Sequence, residues 1–143
     1  NESNFEMIRS VVNMAKKYGI KRLEYNCRDC NDNFVNDFSA DNEIVKLYFD
    51  DEKNPRWINM CGEWGYLSLI EKLVGKGASN QLFPRTITIL ENKMSDLLQK
   101  KVTFERAIRI CPNCGSKDIS VINELFYESE DIDIYEIEKS LFE

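Results

Sequence analysis

The sequence contains no histidine. That absence removes Ser–His and Cys–His nucleophilic pairs, every metal site built on imidazole, and the usual general base near neutral pH. No apolar run approaches the roughly 18–20 residues of a membrane-spanning helix. The first apolar residues, Phe5, Ile8, Val11 and Val12, follow an amphipathic pattern and not the continuous block of a secretion signal. The 143 residues hold only three prolines and six glycines, with no linker-like stretch, repeat or low-complexity segment, so the chain reads as one domain over 1–143.

Hydrophobic residues make up 43% of the chain and charged ones 31%, which places it among soluble globular proteins able to bury a core. The net charge of −6 is uneven. Residues 123–143 carry eight acidic side chains and one lysine, so the rest of the chain sums to +1. The acidity therefore belongs to the C-terminal segment 123–143.

Hydrophobic spacing predicts an amphipathic helix over 3–18, within an N-terminal segment 1–20, opened by a Ser3/Glu6 capping box and stopped at Gly19. Strands are expected at 21–26, 34–38 and 43–49, and a shorter one at Arg56–Met60 after an acidic turn (Asp50, Asp51, Glu52). A helix is expected from Glu63 to Val74, stopped by Gly75 and Gly77. The run TITIL at 86–90 reads as a strand, Met94–Lys100 as a short helix, and Arg106–Ile110 and Ile119–Ile122 as strands. A last amphipathic helix is expected near Asp133–Phe142, with its isoleucines packed on the body.

Five cysteines are present, and four form two C-x2-C pairs: Cys27 and Cys30 in CRDC, Cys111 and Cys114 in CPNC. Such a turn sets two sulfurs on one side of a tight loop, within reach of one tetrahedral ion. The residue after the second cysteine commonly needs a positive φ. Here it is Asn31 in one turn and Gly115 in the other, the residue types that tolerate it best. Disulfides would need an oxidising compartment, and the odd cysteine count argues against them. A thioredoxin-like redox pair explains one C-x2-C and not two. Iron fits the same four thiolates as zinc. Cys61 has no histidine to activate it and has Glu63 beside it, so it reads as a buried small hydrophobe between a strand and a helix.

CPNCGS, and to a lesser degree CRDCN, resembles the knuckles of zinc-ribbon and rubredoxin-like proteins over about 21–38 and 106–122. That resemblance implies one structural Zn²⁺ held by Cys27, Cys30, Cys111 and Cys114. Common four-cysteine modules separate their pairs by about 15–20 residues, whereas 80 residues lie between Cys30 and Cys111. The expected fold is α+β: a split four-cysteine zinc ribbon (21–39 and 101–122) with a strand–helix–strand module (40–100) inserted, flanked by N- and C-terminal helices. Closing the longer loop costs about 1 kcal/mol more, against the order of 10 kcal/mol that zinc supplies in finger peptides. The stretch 44–90 is also faintly similar to small α/β immunity proteins of toxin systems, through a strand, Cys61-Gly62 and Gly65, a helix carrying Leu67, Leu69 and Leu73, then a strand.

Ten of the nineteen basic residues flank the knuckles. Lys21, Arg22, Arg28, Arg106, Arg109 and Lys117 are the candidate nucleic-acid contacts, with Tyr25 and Phe34 as stacking surfaces. The same cations would also balance the −2 charge of a tetrathiolate zinc. Trp57, Trp64 and Tyr135 are candidate anchors for a protein partner. No set of nucleophile, base and oxyanion donors can be assembled, so the expected function is non-enzymatic. It is a cytoplasmic, zinc-stabilised binding protein acting on another protein, as a phage, prophage or immunity-type inhibitor or adaptor. The alternative is a nucleic-acid-binding ribbon such as a transcription accessory protein or regulator.

Overall fold

The computed structural model describes residues 16–106 and 108–137. Residues 3–15 of the predicted N-terminal helix and the end of the predicted C-terminal one lie outside these residues, while 16–18 are not helical and Tyr18 opens a strand. The fold is α+β, built among the described residues from two three-stranded antiparallel sheets and two α-helices.

The first sheet contains β1 (Tyr18–Cys27), β2 (Asn33–Ser39) and β6 (Ile119–Ser129), with β1 in the middle. β1 and β2 form a hairpin across CRDC, in the register Tyr25↔Phe34 and Ile20↔Ser39. β6 returns from the far end of the chain to pair with β1 from Tyr18↔Ser129 to Cys27↔Ile119. Between Glu24↔Asn123 and Tyr25↔Val121 the register slips by one residue, leaving Ile122 as a bulge.

The second sheet contains β3 (Ile44–Phe49), β4 (Arg56–Asn59) and β5 (Val102–Phe104), with β3 in the middle. Side chains alternate along β3. Val45, Leu47 and Phe49 face α1 (Tyr66–Leu73) and α2 (Pro84–Leu98), where Leu69, Ile70, Leu90, Met94, Val102 and Phe104 complete the main core. Ile44, on the other face of β3, meets Tyr18 and Ile20 of the first sheet, with Trp57, Tyr127, Ile132 and Ile134 around them. The molecule is thus layered as sheet, sheet and helices, and the knuckle hairpin is carried on the outer sheet.

Several expected elements differ. TITIL is not a strand, because it lies inside α2. Its β-branched residues favour strand locally, but Leu90 and Met94 recur at helical spacing over the second sheet and both are fully buried. Pro84 supplies the first turn, and the expected short helix at 94–100 is the end of α2, closed by Gln99 in the left-handed region (φ 57°). The helix expected from Glu63 begins only at Tyr66. Positive φ at Gly62 (88°) and Trp64 (64°) makes 61–65 a chain of turns instead. That loop leaves Cys61 exposed, not buried as expected.

Arg106–Ile110 is irregular among its described residues. The strand of that region is the shorter β5, which joins the inserted module's sheet. β6 runs seven residues beyond Ile122 and absorbs much of the acidic segment. Gly19 lies within β1 and stops no helix. Residues 133–137 are not helical, because Ile134 bridges Trp57 in parallel and the Tyr135 amide donates to the Trp57 carbonyl (2.8 Å). The expected packing does hold, since Ile137 is buried in the main core. No helix among the described residues is long and apolar enough to cross a membrane.

Candidate metal centre

Each C-x2-C turn is fixed by the same two backbone hydrogen bonds. In the first, the Asn31 amide donates to the Cys27 carbonyl (2.8 Å) and the Cys27 amide to that of Asp32 (2.9 Å). In the second, Gly115 donates to Cys111 (2.8 Å) and Cys111 to Ser116 (2.8 Å). The chain must then turn back through the left-handed region, and it does so at Asn31 (φ 58°) and Gly115 (φ 76°), as expected.

The pairing of β1 with β6 brings the two turns face to face. The Arg28 amide donates to the Asp118 carbonyl (3.0 Å), and Ser116 Oγ hydrogen-bonds Asp29 across the gap. The sulfurs of Cys27, Cys30, Cys111 and Cys114 consequently all lie within 4.8 Å of one another. Cys27 Sγ is 3.5 Å from Cys114 Sγ, and Cys30 Sγ is 3.7 Å from Cys111 Sγ. These separations far exceed a disulfide bond. They match the edge of about 3.8 Å of a tetrahedron with metal–sulfur bonds of about 2.3 Å. Cys27 and Cys111 are buried, Cys30 is half-buried and Cys114 exposed. The four cysteines can therefore hold one metal ion.

The sulfurs are prepared for negative charge unequally. Asn113 donates its backbone N–H to Cys111 Sγ (3.4 Å) and its side-chain amide to Cys30 Sγ (3.6 Å). The Asn113 contact and the Asp32 backbone lower the Cys30 thiol to about 7. At Cys114 the Ser116 amide pulls the same way. The Cys27 sulfur, desolvation and the Cys30 and Cys111 sulfurs outweigh it, raising that thiol to about 12. Ionising one sulfur of the four makes the next harder to ionise, and a bound cation removes that penalty. Asn113, Ser116 and Asp118 were not singled out in the sequence. Their only signal was a short polar residue at a knuckle position.

The candidate nucleic-acid residues do not form one free patch. Arg22 makes a bidentate pair with Asp37 (2.8 and 3.0 Å) and lies over the Tyr127 ring. The Arg22 guanidinium holds the Asp37 carboxyl below its ordinary range. Arg106 pairs with Glu91 (2.5 Å), and Arg28 lies 3.9 Å from Asp118. Lys16, Lys17 and Lys100 also pair with carboxylates. Lys21 is half-buried, while Arg109 and Lys117 are exposed. Tyr25 and Phe34 stack on each other at 5.1 Å, and Tyr25 is buried.

Trp57, Trp64 and Tyr135 are half-buried. Trp57 and Tyr135 line a groove of about 570 Å³ with Arg56, Asp131 and Asp133. Trp64 and Tyr135 line an adjoining one of about 310 Å³. Lys46 was missed. The alternation of β3 turned it away from the core, yet the first sheet covers that side and leaves Lys46 2% exposed. Its ammonium donates to Asn36 Oδ1 and sits 4.9 Å from the Phe38 ring centre. In comparisons with family models, curated proteins and solved structures, nothing matches this chain.

Proposed function

We propose that the chain is a zinc-stabilised, non-enzymatic protein that works in the cytoplasm by binding another protein. The four-cysteine geometry supports a structural ion. Four protein thiolates fill a tetrahedral sphere and leave no position for water or substrate. Zinc is the reading best suited to a closed tetrathiolate, with the knuckles acting as a split ribbon around the inserted module. The observation that carries the binding role is that Tyr135 lines two grooves, one shared with Trp57 and the other with Trp64. Half-buried aromatic side chains beside a groove are the usual anchors of protein interfaces. An inhibitor or adaptor of immunity type fits a small chain of this kind.

Two measurements test the reading. Elemental analysis of the purified chain should find one zinc per molecule, and much less than one removes the metal claim. Affinity capture from the host should yield a partner that Tyr135→Glu releases. A partner retained by that variant places the interface elsewhere. A mobility shift with DNA or RNA that weakens with salt, with no protein captured, would replace this reading with the nucleic-acid one, in which exposed Arg109 and Lys117 make the contacts.

A further inference from the structure

A third groove shares no lining residue with the first two. It runs between the start of α2 and the irregular segment that enters the second knuckle, with a volume of about 820 Å³. Its walls are apolar: Pro84, Ile87, Ile108, Ile110 and Pro112. Ile110 is 51% exposed, and Phe83, next to Pro84, is 58% exposed. Large apolar side chains left this exposed beside a concave surface are candidates for contact with another molecule.

The polar residues at this groove are mainly basic. Arg106 and Arg109 line it, and Arg85 follows Pro84 on the exposed side of α2. Arg106 is anchored by Glu91, which also accepts the Phe104 amide (2.7 Å), so the guanidinium is held in place. Arg109 is exposed. The acidic lining residue, Glu105, is half-buried. Burial raises its carboxyl above the ordinary value, against the opposing pull of Lys46. The groove therefore offers apolar walls and a cationic rim.

We propose that this groove docks a peptide segment of a partner protein that alternates acidic and large apolar side chains. The apolar side chains fill the space between Ile87 and Ile110, and the carboxylates reach Arg106 and Arg109. Arginine suits this role because its planar fork pairs with carboxylates in two-point fashion. The inference rests on the reading that the chain works by binding protein. It concerns a groove that Trp57, Trp64 and Tyr135 do not line.

The test uses the full metal-loaded chain and three labelled octapeptides followed by fluorescence anisotropy: alternating Glu/Leu, alternating Lys/Leu, and alternating Glu/Ser. The Glu/Leu peptide should bind at least tenfold more tightly than the other two. Arg109→Glu should weaken it about tenfold and strengthen the Lys/Leu peptide, and Ile110→Asp should weaken both leucine peptides. Both positions are exposed, so unfolding curves should match the parent. Equal binding of Glu/Ser would show charge alone, and equal binding of Lys/Leu would show apolar contact alone; either overturns the proposal. So does self-association that Ile110→Asp abolishes, which would make the occupant a second copy. If a captured host partner is released by Tyr135→Glu and none of the peptides binds, the groove inference fails while the binding reading stands.

Discussion

Gly115 shows how much one backbone angle controls in this protein. At φ 76° it turns the second knuckle so that its amide reaches the Cys111 carbonyl. Nothing lies within 4 Å of where a Cβ would stand, so only the angle opposes a side chain. Gly115→Ala should therefore cost about 1–2 kcal/mol, measured by denaturant unfolding of the metal-loaded chain. Gly65 has the opposite problem. A Cβ there would meet the Cys61 carbonyl oxygen at 2.5 Å, a clash with backbone that cannot rotate away. Lys46 illustrates a third case. Burial lowers its pKa, against the pull of Glu105 and Asp37, and burial raises that of Glu105. Replacing the cation by Lys46→Met removes a compensating charge and raises the Glu105 carboxyl further. A raised carboxyl contributes its stability below its unfolded pKa and loses it as pH rises through the folded value. The variant's deficit against the parent should therefore be smallest near pH 4.5 and grow toward pH 7. A deficit independent of pH would show that Lys46 matters only for packing.

The helix α2 separates local preference from tertiary demand. Thr86, Ile87, Thr88 and Ile89 favour a strand when read alone, and the spacing of Leu90, Met94 and Leu98 was masked by that run. The core decides, since Leu90 and Met94 fill the space over β3 that a fourth strand would leave open. Leu90→Ala should cost about 2–5 kcal/mol. Thr88 is exposed and its hydroxyl bonds back to the Pro84 carbonyl (3.0 Å), so Thr88→Ala should be nearly neutral by the same measurement. The knuckles were readable for the reverse reason. Their geometry is dictated within six residues, by cysteine spacing and by Asn31 and Gly115 at the left-handed positions. β5 and the irregular segment before Cys111 carried no such local instruction. Within the expected C-terminal helix, residues 133–137 are extended, and Ile134 and Ile137 do not share the one face a helix would give them: Ile134 packs on the cluster between the sheets and Ile137 in the main core.

Across the whole molecule, the two knuckles depend on each other through both the metal site and the β1–β6 ladder. Removing one ligand should release both. In Cys111→Ser, hydrogen exchange should rise together at the Asn31 and Gly115 amides, while amides of α1 and α2 keep their protection. Protection lost at Gly115 alone would mean that the pairs do not share an ion. Chelation at neutral pH, followed by circular dichroism, should produce the same partial loss, and acid should do so without chelator, because thiolates must be deprotonated to hold a cation.

The β1–β6 pairing also has a consequence for biosynthesis. β1 is made before β6 and finds this second neighbour only when Ile119–Ser129 has been made. The 80 residues between Cys30 and Cys111 take about 4–16 s to translate at 5–20 residues per second. During that interval the nascent chain offers half a coordination sphere, Cys27 and Cys30, joined by the thiol of Cys61. Oxidants and stray soft metals thus have their best access on the ribosome, before the second knuckle arrives to close the site.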